Sequence, residues 1–259
     1  MAGLRNVHAL LFDVFGTTVD WHASLIQELT ALGETHGVGT GVYIPSFTYA
    51  DWSAFSKTWR RGYMNHIQNI ASGGVGTTNM DEMHREILEH MLKSPEWKNF
   101  GALLGEGERT TLNNAWHRLH GWPDATDGIS ALKKNVLVVA LSNGNMRMLI
   151  DLAKFAHLPW DAIFSSELFG SFKPDPKVYQ GAMKHLSLAP ENCAMVAAHM
   201  WDLRGAARAG MKTIYVRRAA EEPTGEDPDM QIKAKSQGGE VDLVVDSFAE
   251  LTALFEGGR

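Results

Sequence analysis

Four short, almost wholly apolar runs constrain this chain more than any other feature: His8–Val14, Val136–Leu141, Cys193–Ala198 and Thr213–Val216. A fifth and weaker run is Asp242–Val245. Runs of this length without polar alternation suit parallel strands buried on both faces, and helical pattern lies between them. Strands alternating with helices require right-handed crossovers, so the expected fold is α/β with a doubly wound parallel sheet. Helices are expected to begin near Asn145 and near Asp175, where Pro174 and Pro176 suit a first turn.

One stretch breaks the alternation. Residues 19–106 contain no convincing strand but show helical pattern over Ser24–His36, Tyr49–Ala71 and Met80–Leu92. This predicts a helical cap inserted after the first strand, with residues 1–18 and 107–259 as the core domain. Within the cap, Trp52, Phe55, Trp59 and Tyr63 recur at spacings of three and four, which places them on one helix face. Core packing is the favoured reading of this stripe over direct ligand contact. The polar segment Ala219–Glu240 reads as a surface loop.

The bulk properties narrow the function classes. A net charge of −6, with no block of like charge, argues against a partner bound through a phosphate backbone, so no nucleic acid is expected. No apolar run approaches the ~20 residues of a membrane span, and no signal-peptide layout is present, so the expectation is a cytoplasmic protein with no membrane partner. The single cysteine, Cys193, lies in an apolar run and is expected to be a buried thiol.

In an open α/β sheet, ligands bind beyond the carboxyl ends of the strands. Four polar segments follow apolar runs in this chain: Asp13 in LLFDVFGTT, Ser142 and Asn143 in ALSNG, Lys173 in FKPDPKVY, and His199 with Asp202 in AAHMWDL. A carboxylate at a buried strand end is costly unless hydrogen-bonded or paired. Gly16 and Thr17 supply a tight turn and donors, and Lys173 supplies a charge. An Asp13 held ionised in this way is a candidate nucleophile, with capping of the following turn as the bland alternative.

The ordered set of an aspartate with GT, then SN, then K-P, then a final aspartate resembles the haloacid dehalogenase superfamily, over nearly the whole length of the chain. The resemblance implies a Rossmann-like core with a helical cap. Most members are magnesium-dependent phosphatases, which carry a second aspartate two residues after the nucleophile and an acidic last motif. Here those places hold Phe15 and Ala198. A halide leaving group needs neither a proton donor nor a metal, and magnesium is poorly held with an oxygen ligand missing. The chain is therefore most similar to the type II, L-2-haloacid dehalogenases, which implies no cofactor and no metal.

That resemblance assigns roles residue by residue. Asp13 is the nucleophile, Thr17 its turn donor, and Phe15 stands where the usual Tyr would be. Arg60, after Trp59, takes the halide, with Arg61 as a rival. Ser142 and Asn143 bind the substrate carboxylate, and Lys173 and Tyr179 match KPxxxVY. Asp202, beside Trp201, activates water, with His199 as a helper or as a plain core histidine. Capping remains an alternative for Asp202, and packing for Tyr179 and Trp201. The family's usual SSN is replaced by Ala197, Ala198 and His199. The implied substrate is a short 2-haloacid, with fluoroacetate included if the cap aromatics shrink the halide pocket and His199 donates to the anion. A homodimer is implied by the resemblance alone. The rivals are a metal-dependent phosphatase, an inactive binding protein on this fold, and, more weakly, a nucleotide-binding Rossmann protein, against which stands the absence of GxGxxG after the first strand of this chain.

Overall fold

The computed structural model describes residues 4, 6–37, 47–71, 74–219, 221 and 232–256. They form two compact units: residues 1–20 with 120–259, and residues 21–119.

The first unit is built on one six-stranded sheet, in which all five strand pairings are parallel. Its strands are β1 (Ala9–Phe12), β2 (Leu137–Ser142), β3 (Ala162–Ser165), β4 (Cys193–Ala197), β5 (Lys212–Val216) and β6 (Leu243–Val245). Their order is β3-β2-β1-β4-β5-β6. Chain order runs outward from β1 in one direction and outward from β4 in the other, so the switch point lies between these two strands. Leu11 pairs with Val139 on one side and Met195 on the other, so β1 is buried centrally and every residue of it is enclosed. The residues that follow β1 and β4 therefore face the crevice where such sheets bind ligands.

Each apolar run read from the sequence overlaps one of these strands, with β2 extending one residue past its run to Ser142 and β5 starting one residue before its run at Lys212. The strand β3 was not anticipated. It is an edge strand of four residues, three of them only half-buried, so it has no fully apolar run to announce it. Alternate residues of the central strands pack on one face against Val178, Tyr179, Ala182 and Met183 of one helix and Leu203 and Ala206 of another. Cys193 belongs to this core and is a free thiol, which burial and the nearby Glu191 charge push up to about 11. At neutral pH it is a packed, unreactive group.

The second unit is helical: α1 (Trp21–Gly37), α2 (Tyr49–Ala71), α3 (Met80–Lys93), α4 (Lys98–Gly101) and α5 (Glu106–Asn113). The aromatic stripe of α2 is core. Trp52, Phe55, Trp59 and Tyr63 are all buried, with Phe55 packed edge-on to Trp97 at 5.0 Å and Trp59 edge-on to Trp116 at 5.5 Å. The Trp59 indole N–H donates to the His84 carbonyl at 3.0 Å, so this large ring is buried without losing its hydrogen bond. Asn79 starts α3 by accepting from the Asp81 and Glu82 backbone N–H groups.

The helices of the first unit are α6 (Ala125–Leu132), α7 (Met146–Phe155), α8 (Pro176–Leu186), α9 (Met200–Arg208) and α10 (Phe248–Glu256). Helix α7 begins just after Asn145. Helix α8 begins at Pro176, where Asp175 caps it by accepting from the Lys177 N–H. Of the expected surface loop Ala219–Glu240, residues 220 and 222–231 lie outside the described residues. No helix among the described residues is long and apolar enough to cross a membrane.

Candidate active site

Asp13 is the first residue after β1, and its backbone N–H still donates to Val196 of β4 at 3.0 Å. The chain then reverses sharply. Gly16 adopts φ +81°, a left-handed conformation that glycine enters without steric cost, and the Thr18 and Val19 N–H groups both return to the Val14 carbonyl. This turn brings Thr17 Oγ1 to within 2.8 Å of Asp13 Oδ2, to which it donates. The same hydroxyl accepts from the Ala198 N–H at 2.9 Å, so it is locked between the ends of β1 and β4.

Lys173 reaches the other oxygen. Its Nζ donates to Asp13 Oδ1 at 2.9 Å and also to Asp202 Oδ2, and the side chain is 1% exposed. A buried ammonium is tolerable only because two carboxylates face it. Burial pulls the Lys173 pKa down, but the Asp13 and Asp202 charges outweigh this and raise it. Burial likewise pushes Asp13 upward, yet the Lys173 charge and the His199 hydrogen bond and charge hold it well below the ordinary carboxylate range. Asp202 is shifted the other way, because its complete burial outweighs the Lys173 charge and the Asp13 carboxylate opposes its ionisation. The two carboxyls that share Lys173 are thus driven apart, Asp13 toward its ionised form and Asp202 toward holding a proton.

His199 stands at the start of α9. Its Nδ1 lies 3.0 Å from Asp13 Oδ2 and its Nε2 lies 2.8 Å from Glu221 Oε2. Burial pulls its pKa down, but these two partners raise it to about 9. His199 is therefore a cationic donor at neutral pH. Held between two carboxylates, the ring is placed to donate to both Asp13 and Glu221. With both nitrogens committed, it also presents no spare N–H to a halide. Glu221 had no signal in the sequence, since it lies in a polar segment with no motif around it.

The remaining expected residues fall into two groups. Tyr179 is wholly buried on α8, and its hydroxyl donates to Asp202 Oδ1 at 2.6 Å, so it lies behind Asp202 and orients it. Asn143 spends its amide on the Lys173 backbone, accepting from the N–H at 2.7 Å and donating to the carbonyl at 3.2 Å. The amide thus fixes the base of the lysine through its oxygen and one of its two N–H groups. Ser142 is fully buried at the end of β2, and its Oγ accepts from the Gly144 N–H at 3.3 Å. Phe15 is buried beside Gly144, and Trp201 lies with its ring 6.0 Å from Lys173 Nζ. Asp202 does not cap α9, because its carboxylate goes to Lys173 and Tyr179.

Arg60 belongs to the other unit. Its guanidinium lies over the Trp21 ring at 5.7 Å and the Tyr63 ring at 5.1 Å, whereas Arg61 is exposed and donates to Thr58. Of the two arginines, only Arg60 is held in a partly desolvated setting that suits anion binding.

The Asn143 clamp predicts a measurable effect. Asn143→Ala removes two hydrogen bonds, each worth about 0.5–1.5 kcal/mol, and frees the Lys173 backbone. We expect a stability loss of about 1–2 kcal/mol in urea unfolding and a fall in kcat with KM little changed. An altered KM with unchanged kcat would instead mean that Asn143 contacts the substrate.

Comparison with known proteins agrees with this geometry. A family model described as haloacid dehalogenase-like hydrolase matches residues 7–210. The (S)-2-haloacid dehalogenase 4A of Burkholderia cepacia is 26% identical over 221 residues, covering 84% of this chain and 86% of that protein. A crystal structure of an L-2-haloacid dehalogenase is 34% identical with a TM-score of 0.81, covering 97% of this chain and 99% of the other. A defluorinating L-2-haloacid dehalogenase is 31% identical with a TM-score of 0.80, covering 96% and 95%. A six-stranded parallel sheet with an ionised aspartate at its switch point, matched over most of its length by these proteins, places the chain in the haloacid dehalogenase-like hydrolase family.

Proposed function

We propose that this protein hydrolyses the carbon–halogen bond of short 2-haloacids to give 2-hydroxy acids, through an ester formed on Asp13. The observation that carries this reading is Asp13 itself: a carboxylate held ionised by Lys173, Thr17 and His199, with Phe15 in the place of the second aspartate that a phosphatase of this family carries. The relatives described as (S)-2-haloacid dehalogenases support the substrate class.

In the first step an Asp13 oxygen attacks C2 in line, and the halide leaves with the bonding electron pair. Arg60 is assigned to the departing anion, since a guanidinium offers several donors without giving up a proton. Water then attacks the Asp13 carbonyl carbon and gives a proton to Asp202, which Tyr179 and Lys173 orient. The Lys173 charge stabilises the negative charge that develops on the ester. As the tetrahedral species collapses, that proton passes to the departing alkoxide oxygen, and the second proton of the water leaves the new Asp13 carboxyl for solvent, which restores the carboxylate.

A magnesium-dependent phosphatase needs acidic side chains at two further positions. The positions that would supply its acids hold Phe15 and Ala198, both buried and apolar. Both Asp13 oxygens are already taken by donors, two of them cationic. These residues do not fit magnesium.

The reading is tested by measuring halide release from chloroacetate, fluoroacetate and 2-chloropropionate beside phosphate release from a generic phosphomonoester. We expect halide from the haloacids; fluoride release is supported by the description of the 31% identical relative as defluorinating and not by His199, whose nitrogens are both engaged. Activity should persist in a chelator. Phosphate release that requires added magnesium, without halide release, would overturn it.

A further inference from the structure

We propose that Glu221 is a positioning residue for the hydrolytic half of the reaction: it holds His199 as a double N–H donor, so that the ring still donates to the Asp13 carbonyl oxygen after the ester has formed. The inference rests on the ester reading above and names the group that serves its second step.

The row of side chains is set by the sheet. Asp13 follows β1, His199 follows β4 and Glu221 lies beyond β5, and these three strands are neighbours in that order. Adjacent strands lie roughly 4.8 Å apart, so side chains from three successive ends fall into hydrogen-bonding sequence. The ring sits between two carboxylates, at 3.0 Å and 2.8 Å. A neutral imidazole has one N–H and one lone pair, and it would turn that lone pair toward one carboxylate. Only the doubly protonated ring satisfies both.

Glu221 is held as well as holding. A methyl group placed on Gly16 would lie 2.3 Å from Glu221 Oε1, so the turn after the nucleophile leaves room for this carboxylate. The groups facing His199 are Asp13 from the end of β1, Glu221 from beyond β5, and the Trp201 ring from α9. Lys173 bridges Asp13 to Asp202 on the side of Asp13 Oδ1, and Arg218 is turned to the Thr17 carbonyl and Asp124.

The need for Glu221 appears when Asp13 reacts. Alkylation removes the negative charge of Asp13, and with it one of the two partners that keep His199 protonated against the cost of burial. Without Glu221, the ring would lose its proton at this stage and turn a lone pair toward the ester. With Glu221 it stays a donor. We assign Oδ2 as the carbonyl oxygen, held by Thr17 Oγ1 and His199 Nδ1, and Oδ1 as the attacking oxygen. When water adds to the carbonyl carbon, the π pair moves onto Oδ2, and these two donors meet the developing oxyanion.

The test is Glu221→Gln in single-turnover experiments with enzyme in excess over chloroacetate. Chloride release should change by less than about threefold, while ester hydrolysis should slow on the order of 10²-fold, the loss typical of an oxyanion donor. The ester should then accumulate and be seen as added mass on the Asp13 peptide. The alkaline limb of the hydrolysis step should move to lower pH, because the donor form of His199 exists only below its pKa. Glu221→Asp should restore part of the rate. Ester hydrolysis in Glu221→Gln with wild-type rate and pH profile would overturn the assignment. Halide release by the wild type with no ester at any time would overturn the covalent reading beneath it as well.

Discussion

Asp13→Asn is expected to abolish turnover while leaving the fold intact, with kcat falling on the order of 10⁴-fold or more as for loss of other nucleophiles. The stability outcome is as informative as the kinetic one. In the wild type, Asp13, Asp202 and Glu221 face Lys173 and His199, which leaves one negative charge in excess. Replacing Asp13 by its neutral isostere leaves Lys173 with Asp202 and His199 with Glu221. The thermal midpoint should therefore stay level or rise, as expected where a site trades stability for activity. Isotope labelling completes the test. In a single turnover in heavy-oxygen water, the heavy oxygen should enter the Asp13 carboxyl and the product hydroxyl should come from the protein. Heavy oxygen in the first-turnover product would mean that water attacks C2, and Asp13 would then be a base.

Lys173→Met should give the largest stability loss in the core unit. Removing one member of a buried ion cluster leaves uncompensated charge, which typically costs about 3–5 kcal/mol. In this variant two buried carboxylates, Asp13 and Asp202, would face each other without their cation. The pH dependence follows from the direction of the shifts. In the wild type Asp13 is depressed, so its contribution is present above the unfolded carboxyl pKa of about 3.8 and is lost only under strongly acidic conditions. In the variant both carboxyls lose the charge that favoured ionisation, so their pKa values rise and protonation relieves the penalty. The stability gap between wild type and variant should accordingly narrow between pH 8 and pH 5 in urea unfolding. A gap that does not change over that window would show that Lys173 contributes by packing alone.

The fold was legible wherever burial is written locally. The four apolar runs each overlap a strand, and helix α2 runs over Tyr49–Ala71 as its pattern indicated, because period and apolarity are properties of neighbouring residues. The edge strand β3 was not legible, since one exposed flank dilutes the signal. The site divides along the same line. Asp13, Lys173 and Asp202 were visible as polar residues at apolar strand ends, and the structure joins them through one ammonium.

Their partners were not visible. Which carboxyl faces His199 depends on β4 lying between β1 and β5, a fact of sheet order that brings together residues 186 apart in the chain. The same holds for Asn143, whose amide is spent on the Lys173 backbone 30 residues away, and for Tyr179, turned toward Asp202. The charge of His199 is likewise a tertiary property, because an imidazole titrates according to what both nitrogens meet. The sequence by itself determined the strands other than β3, the long helices and the chemical groups at the strand ends, through local periodicity. The tertiary structure alone decided the pairing and protonation of those groups, because hydrogen bonds and charges act across space between strand ends that only sheet order makes neighbours.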